Sequence, residues 1–545
     1  MTDLLIVGTG GAGLAAALAA KAAGAHVSII GKSQAATHAQ TSMAQGGINA
    51  ALGNADRDTV ESHIADTLKS ARGLCDEAMV RTMCTLAPDA MHWLDSLGVP
   101  FSRTKEATIA QRRLGGASHK RACYSQDYTG LKILHTLYDT CLKEEIPFLE
   151  GHYLLNLITS PGSGDQKQPQ ISGVTLLERA SGEVREIRAK AVILATGGYS
   201  ALYHGVTTNA LGSTGDGIAA VLRAGGAVSD IEFVQFHPTA LKHSSILISE
   251  SARGEGGYLL NEKGERFVDE LEPRDIVARA IHEQIVHGHD VFLDLRHLGE
   301  EKLMELLPQE VHLCKLHEGV DPASELIPIK PVAHYSMGGI DVDRSLKVKG
   351  IGGCFAVGEC SNAKIHGANR LGGNSLLEII AFGRIAGANA AAHARQATPE
   401  ANDGTQLEQD IAQITSLFEA EHEINFYHKR AYLGEYFYRH AGIVRNDAEL
   451  TRTLENVREL QNSLAQMGIG DKSRAHNTNL IDFLEFRNAL ELGEILLLAA
   501  LARKESRGAH FRSDFPEQND DEYAAHAIYT IKEGMPRGYF EKGNE

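Results

Sequence analysis

Cysteine is sparse and scattered: seven in 545 residues, at 75, 84, 123, 141, 314, 354 and 360, with no CxxC pair. That pattern excludes a secreted disulfide framework and the grouped thiolates of iron–sulfur or structural zinc ligation, and it points to a reducing compartment. The histidines lack HxxxH-type spacing, so no metal site is expected. Cations are also short, with 53 Lys and Arg against 70 Asp and Glu for a formal charge of −17. Nucleic-acid binding and adsorption to anionic lipid both need clustered positive charge and are disfavoured. Long apolar runs are missing too. The nearest, Leu4 to Ala20, is broken by Gly8, Gly10, Gly11 and Gly13 and follows no basic region, so neither an export signal nor a membrane span is expected and the chain reads as cytoplasmic. There is no internal repeat, no low-complexity tract and no nucleophile elbow of a hydrolase.

What the chain has in excess is glycine, 55 of 545, against a usual ~7%. Such an excess implies tight turns and backbone brought close to a large ligand. With 43% hydrophobic and 23% charged residues the composition is globular, and the length suits roughly three to four domains of about 150 residues.

Leu4 to Val7 is an apolar run ending in Gly8-Thr9-Gly10-Gly11-Ala12-Gly13; an Ala-rich helix to Gly24 and a second strand, His26 to Ile30, follow. This βαβ opening is a dinucleotide-binding pattern, in which glycines turn the chain and let backbone N–H groups and a helix N-terminus meet a pyrophosphate. After the second strand stands Gly31-Lys32-Ser33 rather than the ribose-binding acid of an NAD site, so FAD with another ribose partner fits better. Two more strands, Ala191 to Leu194 and Gly353 to Val357, run into Ala195-Thr196-Gly197-Gly198 and Gly358-Glu359-Cys360. The three junctions are expected to converge at one sheet edge. Residues 236–345 interrupt this part as a lobe suited to a lid. From about 396 the pattern turns helical: Asn402-Asp403-Gly404 marks a linker, and Gln406 to Leu417 and Leu450 to Met467 have 3.6-residue spacing. The last forty residues read as charged and loop-rich, with Arg503 to Arg512 a solvated or interface-facing run.

Read together, the motifs resemble the flavoprotein subunits of succinate dehydrogenase and fumarate reductase over nearly the whole chain, with L-aspartate oxidases next. They are Ala44-Gln45-Gly46-Gly47-Ile48-Asn49-Ala50, Asp127-Tyr128-Thr129-Gly130, Glu232-Phe233-Val234-Gln235-Phe236-His237-Pro238-Thr239, Arg253-Gly254-Glu255-Gly256-Gly257, Pro273-Arg274-Asp275, Ala333 to Gly339, His366 to Gly372 and Glu505 to His510. The resemblance implies an α/β fold: a Rossmann-like FAD-binding domain (1–235 and 346–395), an inserted α+β capping domain (236–345), a C-terminal helical domain (396–505) and a terminal segment (506–545). It implies interconversion of fumarate and succinate, with hydride transfer at flavin N5 and electrons exchanged with an iron–sulfur subunit. That partner would carry a membrane anchor or quinone link, placing the chain in the cytoplasm or on the cytoplasmic face of the inner membrane.

By the same resemblance, His237, Ser249, His334 and Arg370 bind the substrate carboxylates, Glu250 lines the site, and Arg274 delivers the proton through a relay of Arg253 and Glu255. Cofactor contacts are implied at Gly8, Gly10, Gly11, Ala12, Gly13, Lys32, Ser33, Gln45, Gly46, Gly47, Ala195, Thr196, Gly197, Asp216, Glu359, Arg370, Asn374, Ser375 and Leu376. The chemistry is consistent with these residue types, because a C4 dicarboxylate needs donors at both ends. Without the resemblance His237 reads as a strand-end histidine, Arg370 and Arg274 as ion-pairing arginines, and Glu359 as a helix cap.

Three positions depart from the family pattern. Gln40 stands where membrane-bound members carry the histidine linked to the FAD 8α-methyl, and glutamine cannot form that bond. Non-covalent FAD is expected, with a shifted link through His38 as the alternative because the loop from Lys32 is one residue longer. Leu114, before Gly115-Gly116, replaces the acid that L-aspartate oxidases use for the substrate ammonium, which favours fumarate or succinate over aspartate. Leu131 stands where the family usually has His or Phe, so the substrate wall is expected to differ.

Overall fold

The computed structural model describes residues 2–33, 38–161, 168–398 and 403–542. Asn402 of the expected linker and residues 34–37 of the loop after Lys32 lie outside them. The apolar run at the N-terminus forms the strand Thr2–Val7, the alanines form the helix Gly11–Ala22, and Val27–Ile30 is the second strand. They enter a seven-stranded sheet in which Thr2–Val7 lies parallel to Val27–Ile30 and to Glu183–Leu194, and Cys354–Ala356 lies parallel to Glu183–Leu194. In register, Val7 pairs with Leu194 and Leu194 with Ala356. The three strand-to-glycine junctions therefore open side by side at the carboxyl edge of the sheet, where open parallel sheets bind ligands.

Glycine also sets how helices lie on this sheet. The helix Asn374–Gln396 crosses Gly11–Ala22 at Gly383 and Gly387, where a Cβ would come within 2.9 Å of the Ala12 carbonyl oxygen and 2.1 Å of the Ala16 one. Alanine facing glycine permits backbone contact. Among the described residues, Asn374–Gln396 is the one helix long and apolar enough to cross a membrane, and 61% of its apolar window is buried within the protein.

Residues 234–336 contribute a separate antiparallel sheet, ordered Val234–Leu241, Ile327–Ser336, Val291–Asp294, Tyr258–Asn261. It has its own apolar core, including Leu241, Ile248, Leu259, Leu293 and Ile327, distinct from the main core. The helices Thr405–Glu419, Phe426–His440, Asp447–Asn462 and Thr478–Ala502 follow.

The terminal segment corrects two expectations. Ala525–Lys532 and Met535–Lys542 form a hairpin that pairs with Val228–Ser229 in a five-stranded sheet, so the end of the chain is not loop-rich. Arg503, Arg507 and Arg512 are at most 2% exposed. Each is neutralised in place: Arg503 by Glu232 at 2.7 Å, Arg507 by Glu505 at 2.7 Å and Arg512 by Asp514 at 2.7 Å. A local run of cations concealed three buried arginines with acidic partners, one of which lies far back in the chain.

Candidate active site

One cavity runs from the Gly8–Ala12 turn past Gln45, Gly46 and Gly47 to His237, Arg274, His334 and Arg370. Its walls at the near end are backbone. Gly8 has φ +128°, and a Cβ there would lie 2.1 Å from the Ala195 carbonyl oxygen; a Cβ on Gly13 would lie 2.1 Å from the Gly8 carbonyl oxygen. Gly8 thus keeps the turn tight while Gly13, outside the lining, seats the helix on the strand. Gly10, Gly11 and Ala12 present the helix N-terminus to the cavity, and Ala195, Thr196, Gly197, Ser33, Ser375 and Leu376 line it further. Gln45 Oε1 and Arg370 Nε are buried without a hydrogen-bond partner among the described residues. A long cleft with a helix N-terminus at one end and polar groups awaiting partners along it fits a dinucleotide cofactor.

Lys32 stands where an NAD site would have an acid, and its Nζ lies 2.7 Å from Asp216 Oδ2 and 2.8 Å from Glu485 Oε1. Burial alone would discharge the ammonium, but these two carboxylates outweigh it and hold the Lys32 pKa above its ordinary value. Asp216, at the N-terminus of the helix Asp216–Arg223, also lines the cavity. Glu359 Oε1 accepts from the Ser336 N–H and hydroxyl, both at 3.0 Å, and burial pushes its carboxyl up to about 7. Gln40 and His38 both line the cavity, and Gln40 Oε1 accepts from the Ala210 N–H at 3.0 Å. Asn374 is placed otherwise than expected. Its side chain is turned into the protein, accepting from Asn49 at 2.8 Å, bonded to His63 at 2.9 Å and donating to Thr67 at 3.0 Å, and it is outside the lining. Leu131 is likewise outside the lining, whereas Leu114 is in it.

At the far end the groups are cationic. Arg274 opens the helix Arg274–Val286; its Nε and Nη2 donate to Glu250 Oε2 at 3.2 and 2.7 Å, and its Nη1 donates to Gln235 Oε1 at 3.1 Å. Ser249 caps the helix Glu250–Gly254, which puts Glu250 and Arg253 on one face, with Arg253 Nη2 3.5 Å from Glu250 Oε1. Burial pushes the Glu250 carboxyl up, but Arg274 and Arg253 outweigh it and hold it below the usual carboxylate range. Glu250 thus joins the two arginines. Glu255 does not: it follows the end of that helix and its carboxylate lies 3.8 Å from Arg112 Nε. The expected pairing of Arg253 with Glu255 is corrected to Arg253 with Glu250.

Arg370 is 3% exposed, lies with its guanidinium 4.2 Å from the centre of the Tyr335 ring, and has no ion-pair partner among the described residues. Burial and the neighbouring Arg274 bring its pKa down to about 10. His237 is tethered through Nδ1 to Thr239 and His334 through Nδ1 to Thr208, with ring centres 4.8 Å apart. Burial and the arginines push both far below the ordinary histidine value, so both rings are neutral near pH 7. Each leaves Nε2 for a ligand. Arg274 and Arg253 share the Glu250 carboxylate, and Arg370 has no ion-pair partner among the described residues, although the Glu359 carboxyl also acts on it, so the far end of the cavity is rich in positive charge. Buried positive charge of this kind suits an anionic ligand.

The comparisons with known proteins bear on the same two ends of the cavity. Residues 3–376 match the FAD binding domain family and residues 430–541 the fumarate reductase flavoprotein C-terminal family. The chain is 39% identical over 550 residues to the 8-methylmenaquinol:fumarate reductase flavoprotein subunit of Wolinella succinogenes, covering 97% of this chain and 88% of that one. The chain belongs to the fumarate reductase and succinate dehydrogenase flavoprotein family. It is also 37% identical to the succinate dehydrogenase flavoprotein subunit of Rickettsia bellii, over 97% of this chain and 93% of the other. A solved quinol-fumarate reductase chain superposes with a TM-score of 0.93 at 35% identity, covering 100% of this chain and 98% of that one. The near end of the cavity is accordingly the FAD site. FAD and the α/β fold expected from the sequence both stand.

Proposed function

We propose that this chain is the flavoprotein subunit of an enzyme interconverting fumarate and succinate, and that its electrons pass to or from an iron–sulfur subunit. The observation that carries this is Arg370, a buried guanidinium with no ion-pair partner among the described residues, opposite the Arg274–Glu250–Arg253 chain in a cavity continuous with the FAD cradle. Bound FAD supplies or takes up the electron pair. The residues of the chain do the rest. Arg370, with Nε2 of His237 and His334 and the Ser249 hydroxyl, holds the two carboxylates and so fixes the C=C bond. Reduction of that bond also requires one proton at the neighbouring carbon, and Arg274 is the donor in this reading. Arg274 gives up its proton as negative charge develops beside it, and Glu250 and Arg253 can return one along the contacts at 2.7 and 3.5 Å.

The lobe carries Arg253, Arg274 and His237, so its seating over the FAD domain would exclude water as it completes the site. With Gln40 in place of a linking histidine, FAD is held non-covalently. The subunit works in the cytoplasm, held to the inner face of the membrane through its partners. Leu114 offers an apolar wall and nothing for an ammonium group, which separates this site from an aspartate oxidase.

The test is the visible flavin spectrum of the FAD-loaded protein under anaerobic conditions. L-aspartate should leave the oxidised flavin unbleached, and fumarate should reoxidise flavin reduced with dithionite. Bleaching by L-aspartate would overturn the reading. A colourless protein precipitate after acid treatment, with the flavin in the supernatant, is expected for non-covalent FAD.

A further inference from the structure

Between the two arginines stands a side chain with no charge and no part in the chemistry so far described. Gln235 lies on Val234–Leu241, the first strand of the lobe, and is 1% exposed. Its Nε2 donates to the Arg370 carbonyl oxygen at 2.8 Å and to Asn369 Oδ1 at 2.9 Å. Two acceptors on that side decide the orientation of the amide, since an oxygen placed there would face two others. Asn369 is itself held, its Nδ2 donating to the Ser70 hydroxyl at 3.2 Å. Gln235 Oε1 must therefore face Arg274, whose Nη1 donates to it at 3.1 Å.

Arg274 has five N–H donors, of which Nε and one on Nη2 go to Glu250 and one on Nη1 to Gln235. Glu250 holds one edge of the guanidinium and Gln235 the other. Only the second contact ties the lobe helix that carries Arg274 to the 369–371 turn that carries Arg370. An amide suits this place because it offers an acceptor to one cation and a donor to the backbone of the other, without adding charge between them.

We propose that Gln235 is a positioning residue that holds the Arg274 guanidinium in register with Arg370 across the boundary between the lobe and the FAD-binding part. The inference rests on the roles given to those arginines under Proposed function. It is tested in the FAD-loaded protein by reoxidation of dithionite-reduced flavin with fumarate, comparing wild type, Gln235→Met and Gln235→Glu. Methionine keeps length and volume and removes both hydrogen-bonding ends; an ionised glutamate keeps an acceptor for Arg274 but loses the donor. One charge-assisted hydrogen bond lost in the transition state corresponds to a fall of about 10- to 100-fold in kcat. That fall is expected in the methionine variant, with KM for fumarate and the Kd for succinate, read from the oxidised flavin spectrum, staying within about threefold; the glutamate variant, which keeps the contact to Arg274 and loses the tie to the Arg370 carbonyl, should show a smaller fall in kcat. A general distortion would instead raise KM and the succinate Kd as much as it lowers kcat, and that result overturns the positioning role. If the methionine variant fails to retain FAD, the near-isosteric Gln235→Glu decides by the same comparison of kcat with KM and the succinate Kd. Fumarate that fails to reoxidise the wild-type flavin overturns the reading of the site and this inference with it. A wild type that turns over beside variants of equal kcat overturns the role of Gln235 alone.

Discussion

Arg370 offers the sharpest separation between a group kept for binding and one kept for stability. Its guanidinium is buried, has no ion-pair partner among the described residues and has its pKa pulled down to about 10 by burial and by Arg274. A depressed base is destabilising in the folded protein, because the charged form is held at a cost of about 1.4 kcal/mol per pKa unit, here on the order of 3 kcal/mol below pH 10. Replacing it by methionine gives up the cation–π contact with Tyr335 and removes that larger cost. The thermal midpoint of the ligand-free Arg370→Met protein should therefore equal or exceed that of the wild type. Catalysis should move the other way. Loss of one side of a buried charge pair with the substrate costs about 2–5 kcal/mol, or roughly 10²- to 10³-fold in kcat/KM for fumarate. A non-reacting dicarboxylate such as malonate should raise the midpoint of the wild type and leave that of the variant unchanged. The assay pair is differential scanning fluorimetry with and without malonate, and anaerobic reoxidation of reduced flavin. A variant that melts several degrees lower, still responds to malonate and keeps kcat/KM within tenfold would refute the reasoning, because Arg370 would then be structural.

Other substitutions probe the scaffold. The Glu359 carboxyl, raised by burial from 4.5 to about 7, binds its proton more tightly folded than unfolded. FAD-free protein should thus lose stability as pH rises between about 4.5 and 7, and Glu359→Gln should melt close to wild type at pH 5 but above it at pH 8. Gly387→Val puts a Cβ 2.1 Å from the Ala16 carbonyl oxygen; overpacking of this kind costs about 1–3 kcal/mol, and since the displaced helix carries the cradle, FAD retention after gel filtration should fall with the midpoint. Arg503→Ala strands Glu232 as a buried charge, while Glu505 keeps Arg507, at a cost of about 3–5 kcal/mol, seen as a lower denaturant midpoint or loss of soluble protein.

The proton relay shows how close sequence reasoning came and where it stopped. Two acids, Glu250 and Glu255, flank Arg253 within six residues. Spacing of i,i+3 puts Glu250 on the same helical face as Arg253, whereas Glu255 falls at the end of the short helix and turns to Arg112. That signal was present but needed the helix boundaries, which local pattern places poorly. Asn374 carried no such signal. It follows Gly373, which has φ +85°, and only the packing of Asn49, His63 and Thr67 around it determines that its side chain points inward.

Some features of this protein depend on neighbours in the chain, and those the sequence determined alone: the strand, glycine turn and helix at residues 2–22 and the matching junctions after Leu194 and Ala356. Backbone conformation at such places is set within a few residues. The tertiary structure alone decided which charges are neutralised and which are left over. Arg503 is paired because Glu232, 271 positions away, comes within 2.7 Å. Arg370 makes no ion pair because no carboxylate among the described residues is folded into contact with it, while Gln235 bridges its backbone to Arg274. Coulomb and hydrogen-bond energies depend on separation in space, and a chain of this length leaves that separation to the fold.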